Sequence, residues 1–387
     1  LYNDLVVFKE DEFANLLHKC HNIIRNIEKL DPAAAFDEIS KILFMKVYVE
    51  RELLKDEKEN KFTLDYIDKA REFNPDYLYD TFEKTKKIFA KDLIFNKNEK
   101  INLKEHTILR IIKELQIYNL SLTSTDVKGI AFERFLGRTF RGEIGQFFTP
   151  RSVVDFMVEM ISPQESETIC DPASGSGGFL IRVFSKVRER IQQDIIKQYE
   201  VYKQNLLQDK DENKITEQEA KALDEKFNEL QKELKVENSG SRLYNLSNHC
   251  IFGTDANDRM ARTSKMNMIM HGDGHGGIYN HDGLLNINGI FENRFDIILT
   301  NPPFGAQVEK EDKVQEKDAQ FLVQKDGDKY KVLKNDKEEW IAKDDELAQK
   351  YYALYGKEIY QNAQDKIINN IGKPIASLFA LKENLQS

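Results

Sequence analysis

Residues 171–179 form a glycine-rich stretch, Asp-Pro-Ala-Ser-Gly-Ser-Gly-Gly-Phe, between a short apolar run and a helical pattern. Its three glycines allow the backbone to turn tightly and to approach a ligand closely. The stretch fits neither a dinucleotide fingerprint, which needs Gly-x-Gly-x-x-Gly, nor a phosphate loop, which needs Gly-Lys-Ser/Thr. The carboxylate of Asp171 instead favours a ligand with an ammonium group, such as the amino-acid end of S-adenosylmethionine. A purely structural turn is the alternative.

A second motif, Asn-Pro-Pro-Phe at residues 301–304, follows another apolar run. Two consecutive prolines fix an extended turn, and the end of a strand is where ligand sites of open α/β sheets lie. The side-chain oxygen of Asn301 and the carbonyl of Pro302 can accept both hydrogens of an exocyclic amino group, and Phe304 can stack on a flat ring. A turn after a buried strand would explain the prolines but not the asparagine and the aromatic ring.

A third candidate, Asp255, ends the sequence Gly-Thr-Asp after a further apolar run. In nucleotide-binding α/β folds, an acidic residue at the tip of the second strand accepts hydrogen bonds from ribose hydroxyls. A single aspartate at a strand end is usually a turn residue or a helix cap. The ribose interpretation therefore depends on the other two motifs.

The elements that position these residues are three short apolar runs, which we interpret as buried strands at 168–170, 249–252 and 295–299. Helical patterns follow the first two runs, and this alternation is typical of an α/β domain with a parallel sheet. Thr149, followed by Pro150, is predicted to cap a helix before the first strand. The apolar face of that helix is predicted to contain Val153, Val154, Phe156, Met157, Met160 and Ile161.

Two domains are predicted from the periodicity. Residues 1–128 are expected to form a helical N-terminal domain, because apolar residues recur there at three- and four-residue spacing and Asp31-Pro32 is typical of a helix start. Residues 129–387 are expected to form the second domain, within which the charged residues 307–370 are predicted to be a variable loop or an insertion.

A charged segment at residues 183–245 lies between the first two predicted strands and is interpreted as an inserted helical hairpin. Its polar turn is placed at 209–213. Heptad-like spacing relates Leu223, Phe227, Leu230 and Leu234. The hairpin is either a structural arm or a docking element for a partner.

The charge balance excludes one mode of nucleic-acid binding. The 387 residues contain 57 Lys and Arg against 66 Asp and Glu, for a formal net charge of −9. A general positive field is therefore absent, and any nucleic-acid contact must be local or shared with a partner. A basic stretch with arginines at positions 134, 138, 141 and 151 is one candidate for phosphate contact; solvated surface charge is the alternative.

The three motifs together resemble those of a known family. Residues 171–179 and 301–304 look like the cofactor loop and the catalytic motif of the amino-methylating DNA methyltransferases. Upstream, Gly-Gln-Phe-Phe-Thr-Pro-Arg at 145–151 resembles the cofactor motif of the adenine-specific branch. In this order, behind a helical region, they resemble the modification (M) subunit of type I restriction–modification systems. The resemblance implies a Rossmann-like, S-adenosylmethionine-dependent methyltransferase domain with a mostly parallel sheet, acting on the N6 position of adenine in DNA.

The resemblance also implies roles for individual residues. The implied catalytic set is Asn301, Pro302, Pro303 and Phe304. The implied cofactor-binding set is Gln146, Phe147, Phe148, Thr149, Pro150, Arg151, Asp171, Ala173, Gly175, Ser176, Gly177, Gly178, Asp255 and Asp282. In this set Asp255, where family members often have glutamate, is expected at the ribose. Asp282 is expected at the adenine amine of the cofactor, with Asp273 as a less favoured candidate.

The implied partners are double-stranded DNA, a specificity (S) subunit that reads the base sequence, and a restriction (R) subunit, with two M subunits for each S subunit. The reaction requires no metal and no covalent intermediate. A nucleophilic cysteine is not expected, because Cys20, Cys170 and Cys250 fall on predicted core positions. Three dispersed cysteines, without a signal peptide or a membrane-length apolar run, favour a cytoplasmic location.

Two other function classes fit some of the pattern. One is an amino-methyltransferase that acts on a protein glutamine or on RNA, and the other is a non-catalytic interaction subunit. A methyltransferase sheet also needs strands beyond the second motif, and the sequence after Phe304 has few apolar runs. Either the sequence is a fragment or residues are missing from it after Phe304, and the start at Leu1 leaves room for an additional domain upstream.

Overall fold

The computed structural model describes residues 10–378 except residues 57–59, 91–93, 97, 121–122, 124, 138, 140–147, 209–214, 273–276, 286, 288 and 303–310. The chain divides into two compact units. The first contains residues up to 165 together with 175–249 and 262–277, and the second contains 166–174, 250–261 and 278–387. None of the helices among the described residues has the length and apolarity that a membrane crossing needs.

Six helices occupy most of the described residues between 10 and 137. They are α1 (Glu10–Glu28), α2 (Pro32–Asp56), α3 (Leu64–Phe73), α4 (Tyr77–Ile88), α5 (Glu105–Leu115) and α6 (Thr125–Leu136). The predicted start of α2 is confirmed, since Oδ1 of Asp31 accepts hydrogen bonds from the N–H groups of Ala33 and Ala34 at 2.9 and 3.0 Å. Aromatic rings fill the core between these helices, and those of Phe36 and Phe135 stack at a centroid distance of 5.7 Å.

A buried ion pair lies inside this helical region. Nζ of Lys46 lies 2.8 Å from Oε1 of Glu50, one turn later on α2, and both side chains are fully buried. The same carboxylate oxygen accepts a hydrogen bond from the N–H of Leu120, and the ammonium group lies 4.8 Å from the ring centre of Phe62. Burial lowers the pKa of Lys46. Each charge of the pair is thus compensated locally, as a buried charge requires.

Four further helices belong wholly to the first unit: α7 (Arg151–Ile161), α8 (Gly178–Leu207), α9 (Glu217–Gln231) and α10 (Arg242–Asn245). The long helices α8 and α9 pack against each other. Thr216 and Glu219 form a capping box at the start of α9. Of the predicted heptad positions, Leu223 and Leu230 are buried while the ring of Phe227 is 46% exposed. The turn predicted at 209–213 lies outside the described residues.

Helix α7 differs from its prediction in two respects. Pro150, not Thr149, occupies the capping position, and its carbonyl oxygen accepts hydrogen bonds from the N–H groups of Val153 and Val154. The buried side of the helix is the narrow strip of Val154 and Val158. Most of the predicted apolar face is exposed instead, and 65% of the surface of Phe156 is accessible to solvent. The exposed residues of this face are Val153, Phe156, Met160 and Ile161. The prediction was wrong because α7 carries apolar residues on most of its circumference, so periodicity alone could not identify the packed strip.

The second unit contains a four-stranded parallel sheet with the order β3-β2-β1-β4. Its strands are β1 (Ile169–Asp171), β2 (Ile251–Asp255), β3 (Ile278–Asn280) and β4 (Ile297–Ile298), and α11 (Asp258–Met270) follows β2. Ile169 pairs with Ile251 on one side and with Ile297 on the other. The α/β fold with a parallel sheet is confirmed, and the three predicted strands exist. Strand β3 was not predicted.

Residues 311–378, within which most of the predicted variable loop falls, contain regular structure. They include the antiparallel hairpin of β5 (Val323–Asp326) and β6 (Lys329–Val332), and the helices α12 (Asp345–Tyr355) and α13 (Lys357–Ile368). Phe321, Tyr351 and Tyr360 are almost completely buried together with Phe291. These aromatic residues give the region a core of its own, although its strands are mostly charged and exposed.

Arg294 joins this aromatic region to the sheet within the second unit. Its guanidinium carbon lies 3.9 Å from the ring centre of Phe252 on β2 and 4.1 Å from that of Tyr355 on α12. Its Nη1 also donates a hydrogen bond to the carbonyl oxygen of Gly289. Burial lowers the pKa of Arg294. Arginine suits this position because its flat guanidinium can stack between two rings while it donates in its own plane.

Candidate functional site

The polar residues at the strand ends meet at one edge of the sheet in the second unit. Asp171 ends β1 and Asp255 ends β2, while Asp282 follows β3 and Asn301 follows β4. Because the strands are parallel, their carboxyl ends lie on the same side. The chain goes from β1 to β2 and β3 in one direction and then to β4 on the opposite flank of β1. A reversal of this kind, here between β1 and β4, is the position at which open α/β sheets bind ligands.

Asp171 is the most deeply buried carboxylate at this edge, with 1% of its surface exposed. Burial raises the pKa of Asp171 to about 7, and the neighbouring charge of Asp255 acts in the same direction. The side chain of Thr300 and a hydrogen bond of 3.1 Å from the N–H of Ala173 act in the opposite direction. A nearby cation would stabilise the ionised form of this buried aspartate, because the attraction between the two charges offsets some of the cost of removing the carboxylate from water.

Asp255 and Asp282 lie in turns that fix their carboxylates. Oδ1 of Asp255 accepts a hydrogen bond of 2.9 Å from the N–H of Asn257. Oδ1 of Asp282 accepts one of 2.9 Å from the N–H of Leu284. Both carboxylates are partly exposed, and in each Asx-turn the backbone N–H two residues later holds one carboxylate oxygen in place.

The loops that follow β1 and β3 contact each other through a glycine. Gly283, next to Asp282, lies so close to the carbonyl oxygen of Pro172 that a Cβ atom would collide with it. Hydrogen bonds also tie the neighbouring strand ends together, since the N–H of Ser174 donates to Thr254 O at 2.9 Å and the Thr254 hydroxyl lies 2.8 Å from His281 O. The spacing of Asp171 and Asp282 is therefore set by backbone contacts.

The first unit contains the glycine loop, which we define as residues 175–178. Gly175 and Gly177 have φ angles of +53° and +83°, and Gly177 caps α8. A Cβ atom on Gly177 would lie 2.5 Å from Oγ of Ser264, a fully buried residue of α11. Position 177 therefore requires glycine for two reasons, its left-handed backbone and the close approach of α11.

Arg151 holds the end of this loop. Nη1 of Arg151, the first residue of α7, donates a hydrogen bond of 3.0 Å to the carbonyl oxygen of Gly178. The same guanidinium forms an ion pair with Glu133 on α6. Of the other residues in the upstream motif, Phe148 and Thr149 are partly buried and Pro150 is exposed. Gln146 and Phe147 lie outside the described residues, as do Pro303 and Phe304.

The basic stretch near Arg151 is partly neutralised. Arg134 forms an ion pair with Asp11 at 2.5 Å, and Arg151 is paired with Glu133. The arginines at 138 and 141 lie outside the described residues. Two of the four arginines thus already have intramolecular carboxylate partners, and this argues against a dedicated phosphate site formed by the basic stretch.

The structure adds residues that sequence reasoning missed. Ser264 and Glu133 are polar residues within helices, where a polar residue usually faces water, so their residue types did not mark them as part of a site. Thr300 precedes the predicted motif by one position, and Gly283 directly follows Asp282. Their position next to a predicted site residue was the only feature of the sequence that could have indicated a role for them. The three cysteines are buried and unbridged, which confirms their prediction as core residues. Among the residues that the structure describes, no group of three or more potential ligands could hold a metal ion.

Comparisons with known proteins point to one family. A family model described as N-6 DNA Methylase matches residues 123–341, more than half of the chain. The methylase subunit of the type I restriction enzyme EcoEI from Escherichia coli is 27% identical over 169 residues, which cover 43% of this chain and 25% of that protein. The HindI methylase subunit from Haemophilus influenzae is 44% identical over 64 residues, 16% of this chain and 14% of that protein. The matched segment thus spans a quarter or less of these relatives.

Among solved structures, the chain is similar to the methyltransferase subunit of a type I restriction–modification system from Streptococcus thermophilus. That likeness covers 78% of this chain and 65% of the other, at 17% identity and a TM-score of 0.45.

Proposed function

Since the chain belongs to the N-6 DNA methylase family, we propose that it transfers a methyl group from S-adenosylmethionine to the N6 amine of adenine in duplex DNA. We further propose that it works as the modification subunit of a type I restriction–modification system. The observation that carries the proposal lies at the sheet edge. A buried Asp171 and the Asn301 motif follow adjacent strands, on the two sides of the point where the strand order reverses.

The carboxylates at this edge support the proposed binding of S-adenosylmethionine. Asp171 is buried and has its pKa raised to about 7, and an ammonium group would favour its ionised form. Asp255 would accept hydrogen bonds from the ribose hydroxyls and Asp282 from the adenine amine of the cofactor. Ala173, the glycine loop and residues 146–151 complete the proposed cofactor-binding set. When bound, S-adenosylmethionine supplies an electrophilic methyl group on a sulfonium.

The acceptor side depends on residues 301–304. The target adenine must leave the base stack, at a cost of a few kcal/mol, before its amine becomes accessible. The side-chain oxygen of Asn301 and the carbonyl of Pro302 would accept the two amine hydrogens, and Phe304 would stack on the ring. Accepting both hydrogens increases electron density on a nitrogen whose lone pair is otherwise delocalised into the ring. Held in line with the methyl group, that nitrogen becomes the nucleophile, and positioning supplies much of the acceleration.

Pro302 and Pro303 would act through geometry. A proline lacks a backbone N–H and has a fixed φ, so the carbonyl of Pro302 keeps one direction and no competing donor lies at position 303. The proposal assigns sequence recognition to an S subunit and cleavage to an R subunit, with two M subunits per S.

Replacing Asn301 with alanine tests the proposal. We expect Asn301→Ala to abolish N6-methyladenine, measured by methylome sequencing of cells that carry the variant in place of the parent gene. Binding of S-adenosylmethionine, measured by calorimetry on the purified protein, should change by less than about threefold because the side chain faces the acceptor. Asn22→Ala, at an exposed asparagine of α1, is the matched control and should leave both measurements unchanged.

Three results would count against the proposal. Normal DNA methylation by Asn301→Ala would remove the acceptor role of the motif. Failure of the parent protein to bind S-adenosylmethionine would remove the cofactor. Asn301-dependent methylation of a protein or RNA, without methylation of DNA, would assign the chain to a different substrate class.

A further inference from the structure

Asn267 lies on α11 behind the glycine loop. Its side chain is fully buried, and Nδ2 donates a hydrogen bond of 2.9 Å to the carbonyl oxygen of Ser176. Its Oδ1 is also buried and has no hydrogen-bond partner among the described residues. Burying an amide with one end unsatisfied costs free energy. A buried leucine would avoid that cost, so the contact of Asn267 with Ser176 is a feature that stability alone does not explain.

The contact determines where the next backbone donor points. The peptide bond between Ser176 and Gly177 is trans, as are all described peptide bonds. In a trans peptide the C=O and the N–H point in opposite directions. Because Asn267 holds the Ser176 carbonyl toward α11, the N–H of Gly177 is directed away from α11, at the N-terminus of α8. A backbone N–H at the start of a helix is a good donor to an anionic oxygen.

We propose that Asn267 is a positioning residue for the methyl donor. By fixing the Ser176 carbonyl, it orients the Gly177 N–H toward the carboxylate of S-adenosylmethionine. This inference rests on the proposed function for the identity of the ligand, and it adds a residue outside the motifs to the machinery. Arg151 has a comparable role at the end of the glycine loop, where it holds the carbonyl of Gly178.

Asn267 is itself held in place by its neighbours in the first unit. Nδ1 of His271 lies 2.8 Å from the carbonyl oxygen of Asn267, and because a carbonyl only accepts, Nδ1 carries the hydrogen. Arg188 on α8 donates a hydrogen bond of 3.0 Å to the carbonyl oxygen of His271. Gly129 on α6 packs so tightly on the imidazole that any larger residue would collide with it. These contacts hold the backbone of α11 at Asn267 in one position, and the side-chain amide is attached to that backbone.

Two variants at position 267 test the proposal on the full chain. Asn267→Ala removes the donor, and Asn267→Asp keeps the shape of the side chain while it places an acceptor against the Ser176 carbonyl. We expect the Kd for S-adenosylmethionine to rise about tenfold in each variant. This is the effect of losing one hydrogen bond, the one from the Gly177 N–H to the cofactor carboxylate. The KM for S-adenosylmethionine should rise in parallel while kcat at saturation stays within about threefold. Hydrogen–deuterium exchange at the amides of Gly177 and Gly178 should become faster.

A merely structural role would give a different result. Met268→Ala, at a buried neighbour on the same helix, controls for lost packing and should lower the Tm without changing the Kd. If Asn267→Ala does not fold, Asn267→Asp decides the question. Parent-like cofactor affinity in a folded variant, or a kcat loss with unchanged KM, would overturn the proposal. If the parent protein binds no S-adenosylmethionine, the proposed function fails, whereas unchanged exchange at the loop amides would refute the positioning role separately.

Discussion

Replacing Asp171 with asparagine removes a charge that the folded protein buries at a cost. The pKa of Asp171 is raised from 3.8 to about 7, so the folded state binds the proton more tightly than the unfolded state does. The free energy of unfolding of the parent protein therefore falls as the pH rises from about 4 to about 7, and the effect is constant above that range. At about 1.4 kcal/mol per pH unit, the full cost is about 4 kcal/mol.

Asp171→Asn should consequently be more stable than the parent protein, and the gain should depend on pH. We expect the difference in unfolding free energy, measured by urea titration without cofactor, to be about 3 kcal/mol larger at pH 8 than at pH 5. The same variant should bind S-adenosylmethionine at least about tenfold more weakly, because a charged hydrogen-bond partner is lost. A stability difference that is the same at pH 5 and pH 8 would refute the reasoning, since it would mean that Asp171 does not titrate in this interval.

Three further substitutions test contacts in the two units. Gly177→Ala should destabilise the loop by about 1–2 kcal/mol and weaken cofactor binding in calorimetry. Adding Ser264→Ala removes the collision but leaves the backbone at a φ of +83°. Full recovery of cofactor binding in the double variant would therefore contradict the role of the left-handed backbone. Lys46→Met should lower the unfolding free energy in urea by about 3–5 kcal/mol because it leaves Glu50 charged and buried, and Lys46→Met with Glu50→Gln should recover some of that loss, which a packing effect alone would not. Arg294→Lys should lose about 1–3 kcal/mol in thermal unfolding, since an ammonium cannot stack flat between Phe252 and Tyr355; an unchanged Tm would show that the stacking is not important.

The strand ends could be predicted from the sequence because short apolar runs end abruptly at polar residues there. Asp171 and Asn301 illustrate this, since each follows a run that is too short for a helix and is bounded by loop residues. Strand β3 escaped the same reasoning because only Ile278 and Tyr279 mark it as apolar. Two residues are not enough to define a period.

Other features could not be predicted because they depend on contacts between distant segments of the chain. The region 311–378 has charged, mostly exposed strands, and its core comes from scattered aromatic residues such as Phe321 and Tyr360. Ser264 and Asn267 are polar residues in a helix, where a surface position is the usual expectation. Their burial follows from the close approach of the glycine loop to α11, which no local pattern encodes.

The position of β1 in the middle of its sheet has a consequence for synthesis on the ribosome. Thr168, directly before β1, donates its backbone N–H to the carboxylate of Asp296, 128 residues later in the chain. At about 5–20 residues per second, β1 emerges roughly ten seconds before the strand that covers its second flank. During that interval α8 and α9, whose contacts are local, can already form, whereas the apolar residues of β1 have no neighbour on that side. Translation pauses or chaperones that act between these two points should therefore affect the yield of native protein more than those that act earlier.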